Sequence, residues 1–152
     1  MTTKELLQLT DVSNLIKSNI CEFIVERDNL NNRGYYVNLI QENVKESPGV
    51  YVWTNDENNK IIYIGMSGKI NNDGTLGNQL LPDRLQASRK YNGKDLSTKN
   101  YLFIKLNELK IQTMKMSIFY SNENEPASYL EAKLLRSYFQ NQGRLPILNN
   151  EF

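Results

Sequence analysis

The chain has 152 residues, 39% of them hydrophobic and 23% charged, with a formal net charge of +1 at pH 7. This is the size of one ordinary domain with enough apolar residues for a core, and the near-neutral balance argues against a strongly basic nucleic-acid coat. There is no histidine and a single cysteine, Cys21, which excludes imidazole bases, Ser-His-Asp triads, cysteine-cluster metal sites and an internal disulfide.

In chain order, Val12, Leu15, Ile16, Ile20, Phe23 and Ile24 recur at three- and four-residue intervals behind Thr10 or Asp11 as N-cap, which predicts a helix with Cys21 as a buried thiol. After a polar break over 28–34, Tyr35, Tyr36, Leu39, Ile40 and Val44 predict a second amphipathic helix. Residues 1–46 therefore read as a helical N-terminal extension, and Ser47-Pro48-Gly49 opens a second unit over 47–152. Two β-branched and aromatic runs, 49–54 and 61–65, flank a polar turn and predict a hairpin. A Gly/Asn-rich loop over 67–78 follows, then helices over about 80–91 and 99–110 and a late strand over 115–120. The last helix runs between Pro126 in its first turn and Gly143 at its C-terminal cap, ahead of an apolar tail, Leu145-Pro146-Ile147-Leu148-Asn149. The order predicts an α+β fold, a small sheet covered by helices in one compact unit.

Two local features carry chemistry. At 100° per residue from Leu130, Glu131 falls at about 100°, between Leu134 at about 40° and Leu135 at about 140°, inside the apolar stripe. An ionised carboxylate there is costly unless it is paired or holds a metal; a single such glutamate is more often satisfied by an arginine or lysine. The second is charge: residues 84–110 hold seven basic and two acidic side chains. Such a strip either neutralises phosphates or is a plain solvated surface. Tyr51 and Tyr63, taken alone, are ordinary strand packing residues with a wet tip, and Trp53 is simplest as core.

Taken together, Gly49-Val50-Tyr51, Tyr63-Ile64-Gly65, Arg84 within Leu81-Pro82-Asp83-Arg84-Leu85, Glu131 within Leu130–Leu135 and the tail ending at Asn149 resemble the GIY-YIG nuclease family. Val50 replaces the middle residue of the first triplet, and the resemblance covers about residues 47–152. It implies a domain built on a three-stranded antiparallel sheet that cuts phosphodiesters with one divalent ion. Glu131 would hold Mg²⁺ or Mn²⁺ together with waters and a phosphate oxygen. Arg84 would stabilise charge on the phosphate, and Tyr63, in preference to Tyr51, would orient or deprotonate the attacking water. Asn149 would fasten the tail against the sheet or position the site.

The sequence departs from that pattern at three points. Ser88 stands where the family has His or Tyr four residues after its arginine, with Tyr91 on the same helical face as a substitute. Met66 stands where a lysine often follows the second triplet, with Lys69 nearby. The interval from Gly65 to Arg84 is long, which makes Arg89 a fallback catalytic arginine.

The function implied is a stand-alone DNA endonuclease, of restriction or defence type, with Lys69, Arg89, Lys90 and Lys94 and the 67–78 loop facing DNA. A palindromic double-strand cut would need two sites, hence a homodimer or two successive nicks. The alternatives are a catalytically silent binding module on the same fold, or a nuclease for single-stranded, branched or RNA substrates. No run of about 18 apolar residues occurs, and the N-terminus lacks a secretory pattern, so the expected setting is a reducing cytoplasm with no membrane partner.

Overall fold

The computed structural model describes residues 1–12, 16, 20–68, 72–74, 80–122 and 126–151. The protein is α+β: a four-stranded antiparallel sheet in the order β1-β6-β2-β3, with a separate two-stranded ribbon, β4-β5. The strands are β1 (Cys21–Glu26), β2 (Gly49–Asn55), β3 (Lys60–Ser67), β4 (Ser88–Tyr91), β5 (Lys94–Ser97) and β6 (Thr113–Tyr120). The helices are α1 (Thr3–Thr10), α2 (Tyr35–Asn43), α3 (Leu81–Gln86), α4 (Thr98–Glu108) and α5 (Ala127–Gln142), with short 3-10 helices at Arg27–Asn29 and Ile147–Glu151.

The fourth strand, β1, corrects the expected three-stranded sheet and the purely helical reading of residues 1–46. Cys-Glu-Phe-Ile-Val-Glu alternates, with Phe23 and Val25 buried and Glu22 and Ile24 exposed. This is the period of a half-covered strand. Its whole length pairs with β6, Cys21 with Ile118 through Glu26 with Thr113. From Cys21 on, long-range pairing of a β-branched segment overrides the three- and four-residue spacing; residues 13–15 and 17–19 of the expected helix lie outside the described residues. Cys21 is half-buried, its thiol donating to the Asn43 carbonyl at 3.1 Å, and burial pushes its pKa up.

Side chains alternate across the sheet except at Ile62, where the β2–β3 register shifts between Trp53 and Thr54. Val50, Val52, Ile64 and Phe119 face α1 and α5, meeting Leu6, Leu130, Leu134 and Tyr138. Tyr51, Trp53, Tyr63, Met114, Met116 and Ile118 face α2, α3 and α4, meeting Ile40, Leu81, Leu85, Tyr101 and Leu102. The sheet is thus covered on both faces. Helix α5 ends at Gly143, whose φ of 74° is the left-handed conformation of a C-cap.

The helix expected over 80–91 is a second correction: α3 stops at Gln86, Ala87 is extended, and Ser88–Tyr91 is a strand. The cause is visible in Tyr91-Asn92-Gly93-Lys94. Asn92 and Gly93 both take positive φ (51° and 77°), as a tight hairpin turn demands, and Asn-Gly is the pair that favours it. Thr98 then closes the ribbon's base, its backbone N–H and its hydroxyl both donating to the Ala87 carbonyl, at 3.1 and 2.6 Å.

Candidate active site

The two tyrosines stand on neighbouring strands and the same sheet face. Trp53 is paired with Tyr63, and Tyr51 with Gly65. Their rings pack as a cluster, with centroids 5.8 Å apart for Tyr51 and Tyr63 and 4.7 Å for Trp53 and Tyr63. Gly65 makes this possible: a Cβ there would lie 2.5 Å from Tyr51 Cζ and 2.6 Å from Tyr63 Cε1. Gly49 is equally constrained, since a Cβ would meet the Phe119 carbonyl oxygen at 2.3 Å. The glycines of the two triplets are therefore packing requirements of the tyrosine layer and of the β2–β6 pairing.

Arg89, the second residue of β4, is 3% exposed and points into this layer. Its Nη2 donates to the Tyr51 hydroxyl at 2.7 Å, its Nη1 to the Tyr63 hydroxyl at 3.4 Å and its Nε to Thr98 Oγ1 at 3.2 Å. The guanidinium also lies 5.0 Å from the Trp53 ring centroid and 5.3 Å from that of Tyr63. Arg89 is thus placed inside the protein, away from the surface where DNA would be met. Tyr51 is fully buried; burial pushes its phenol up to about 12, against the downward pull of Arg89 and Arg84. At neutral pH Tyr51 holds its proton.

Arg84 and Glu131 come from opposite faces. Arg84 is half-buried on α3, Glu131 half-buried on α5, and both helices pack on β3, the edge strand. Burial raises the Glu131 carboxyl above the ordinary glutamate value, and the Arg84 charge opposes that rise. The Arg84 charge also draws the Tyr51 phenol down, against its burial. Glu131 sits beside the stripe of Ala127, Leu130, Leu134 and Tyr138 that α5 buries.

Asn149, in the terminal 3-10 helix, pins that edge. Its Oδ1 accepts from the Ile64 N–H at 2.9 Å and its Nδ2 donates to the Ile64 carbonyl at 2.8 Å. The side chain closes an otherwise open strand edge at the residue between Tyr63 and Gly65.

The remaining residues named from the sequence are dispersed. Tyr91 is on β4, not on a helix with Arg84; its hydroxyl donates to Glu108 at 2.6 Å and Lys105 lies over its ring. Ser88 opens β4 and is exposed. Lys90 and Lys94 are exposed on the ribbon, Lys90 paired with Asp95 at 2.8 Å. Lys69, and most of the 67–78 loop, lie outside the described residues. Sequence reasoning missed Thr98 and Tyr36. The Tyr36 hydroxyl donates to the Leu85 carbonyl at 2.6 Å, tying α2 to α3; its burial raises its pKa. Both are unremarkable as residue types, and only the Asn-Gly turn could have pointed to Thr98.

Among the described residues no three acidic, cysteine or histidine side chains gather into a metal cage. A lone half-buried carboxylate suits a hard cation that keeps most of its waters and takes one or two carboxylates plus phosphate oxygens. A cation would also offset the burial cost that raises Glu131. Among the described residues no helix is long and apolar enough to cross a membrane. No protein-family model, curated protein or solved structure matches the chain.

Proposed function

We propose that the protein is a divalent-metal-dependent endonuclease that hydrolyses DNA phosphodiester bonds, with a site of the GIY-YIG kind. The observation that carries this reading is the placement of Arg84 on α3 and Glu131 on α5, both helices packed on β3, the strand that carries Tyr63. A half-buried carboxylate, a half-buried guanidinium and two buried phenols thus come from β3 and the three elements that pack on it or pair with it. Perturbed groups converging this way are a mark of functional sites.

In this reading Glu131 holds one Mg²⁺ or Mn²⁺, which when bound supplies positive charge to the phosphate. Arg84 donates through its planar fork to the non-bridging oxygens and stabilises the charge that grows on them as water adds to phosphorus. Tyr63 orients the attacking water through its phenolic oxygen, and the proton that water loses ends on the leaving oxygen. Tyr51, held neutral, is a packing and hydrogen-bonding partner. Water adds across the P–O bond, leaving a phosphomonoester on one side and a hydroxyl on the other. Asn149 keeps β3, and with it Tyr63, in register. Lys90 and Lys94, exposed on the β4–β5 ribbon, offer phosphate contacts, and a double-strand cut would call for two copies or two nicks.

The test is incubation of the full chain with supercoiled plasmid, single-stranded DNA and RNA, with Mg²⁺ or with EDTA. Cutting of plasmid that requires Mg²⁺ and is lost in Glu131→Ala and Arg84→Ala supports the reading. Binding without cutting of any substrate would assign a binding module, and cutting of RNA alone would move the substrate class.

A further inference from the structure

We infer that Arg89 is the positioning residue of the tyrosine pair: its buried guanidinium fixes the Tyr51 and Tyr63 hydroxyls relative to each other and ties both to the base of the β4–β5 ribbon. The inference rests on the nuclease reading only for what the tyrosines are positioned to do.

Three observations carry it. First, the contacts are divided: Nη2, Nη1 and Nε go to Tyr51, Tyr63 and Thr98 respectively, so the fork spans two strands and the ribbon's base at once. A guanidinium is planar and its donors are fixed relative to one another. The separation of the two phenolic oxygens is therefore set by one rigid group. Second, Arg89 is itself held. Trp53, Tyr63 and Tyr101 present ring faces to it at 5.0, 5.3 and 5.8 Å, and Thr98 is anchored to the Ala87 carbonyl. Third, the chemistry is directional. A guanidinium only donates, so both phenolic oxygens are acceptors toward Arg89, and each phenol's own hydrogen is turned elsewhere. At Tyr63 that constraint selects where the hydroxyl can meet an incoming water. Arg84, half-buried on α3, is left to meet the phosphate. The two arginines, five residues apart, thus have different tasks: one faces substrate, the other holds what faces substrate.

Lysine cannot do this, because its single ammonium cannot reach three separated hydroxyls in a plane. A displacement of about 1 Å in a reacting group can cost about 100-fold in rate. Arg89→Lys and Arg89→Met are therefore expected to lower kcat by about 100-fold while KM for DNA stays within about threefold, since Arg89 has no surface to offer a phosphate. Arg89→Ala in about 50 mM guanidinium chloride is expected to regain at least about tenfold in kcat over a sodium chloride control, because the free ion refills the aromatic cage.

A second readout is independent of activity. With ¹³Cζ-labelled tyrosine, and Tyr51→Phe and Tyr63→Phe to assign the signals, Arg89→Met should move both the Tyr51 and Tyr63 resonances at neutral pH. Should Arg89→Met not fold, Thr98→Val, which removes the Nε contact and the side-chain bond to Ala87 but leaves Nη1 and Nη2 in place, should move the same two resonances by less. Unmoved resonances would overturn the inference, as would Arg89→Lys with wild-type kcat. If the wild-type protein cuts nothing, the nuclease reading fails while the resonances still decide whether Arg89 sets the two phenols.

Discussion

Gly65→Ala probes the tyrosine layer most directly. The added methyl carbon would lie 2.5 Å from Tyr51 Cζ, 2.6 Å from its hydroxyl oxygen and 2.6 Å from Tyr63 Cε1. Carbon atoms in good contact sit about 3.5–4.0 Å apart, so each ring must retreat by about 1 Å. Neither ring has room: Tyr51 and Trp53 are fully buried and Tyr63 is 5% exposed. Overpacking of this kind costs about 1–3 kcal/mol. For a chain of this length each kcal/mol shifts Tm by about 2–4 °C, so a fall of about 2–12 °C is expected. Displacing Tyr51 also strains the 2.7 Å bond from Arg89, so cleavage should fall by more than the lost folded fraction. The assay pairs thermal denaturation with plasmid cleavage well below Tm. A double variant sharpens it: with Tyr51→Leu, which removes the crowded atoms, the Gly65→Ala penalty should shrink by at least about half, as coupling between touching residues requires. Gly65→Ala melting within about 1 °C of wild type would refute the packing argument.

Other perturbations follow from single contacts. Burial raises the folded-state pKa of Glu131, so its ionised form opposes folding. That cost is absent below the ordinary glutamate pKa, grows as pH rises through it and is complete above the folded value. Glu131→Gln should therefore melt like wild type near pH 3.5 and higher than wild type near pH 8, yet fail to cut; equal melting at both pH values would contradict this. Asn149→Ala removes two hydrogen bonds to Ile64, at about 1 kcal/mol each. Asn149→Asp sets an acceptor against the Ile64 carbonyl and should melt lower than the alanine variant. Tyr51→Phe deprives buried Arg89 of its shortest bond and should cost about 1–3 kcal/mol in a denaturant titration. If Lys90 and Lys94 meet phosphates, each alanine variant should reduce the slope of log K against log salt by about 0.9; unchanged slopes would remove the ribbon from the DNA surface.

The elements that were legible in the sequence are those whose periodicity agrees with their tertiary role. The β2–β3 hairpin, α2, α4, β6 and α5 with its Gly143 cap all announce themselves locally, and Glu131 stood out because helical spacing alone puts a carboxylate beside buried leucines. Where long-range pairing competes with local pattern, the reading failed. Phe23 and Ile24 also fit a helical spacing with Ile20 and Ile16, and only the presence of β6 alongside makes them a strand. Arg89 read as a fallback catalytic arginine and a DNA contact, because nothing in a linear sequence shows that three hydroxyls from β2, β3 and α4 will meet it. The Asn92-Gly93 turn was the missed local signal, since it would have ended the helix before Arg89 and turned that side chain inward.

The strand order also sets an order of assembly. β2 and β3 are joined by a tight turn and can form on local contacts, whereas among the described residues β1 pairs only with β6, so Cys21 must wait for Ile118. Closing so long a loop is slow. The tyrosine platform is thus expected to form first, and the first strand in the chain to join the sheet last. In pulsed hydrogen exchange during refolding, amides of β1 should gain protection together with β6 and after those of the β2–β3 hairpin.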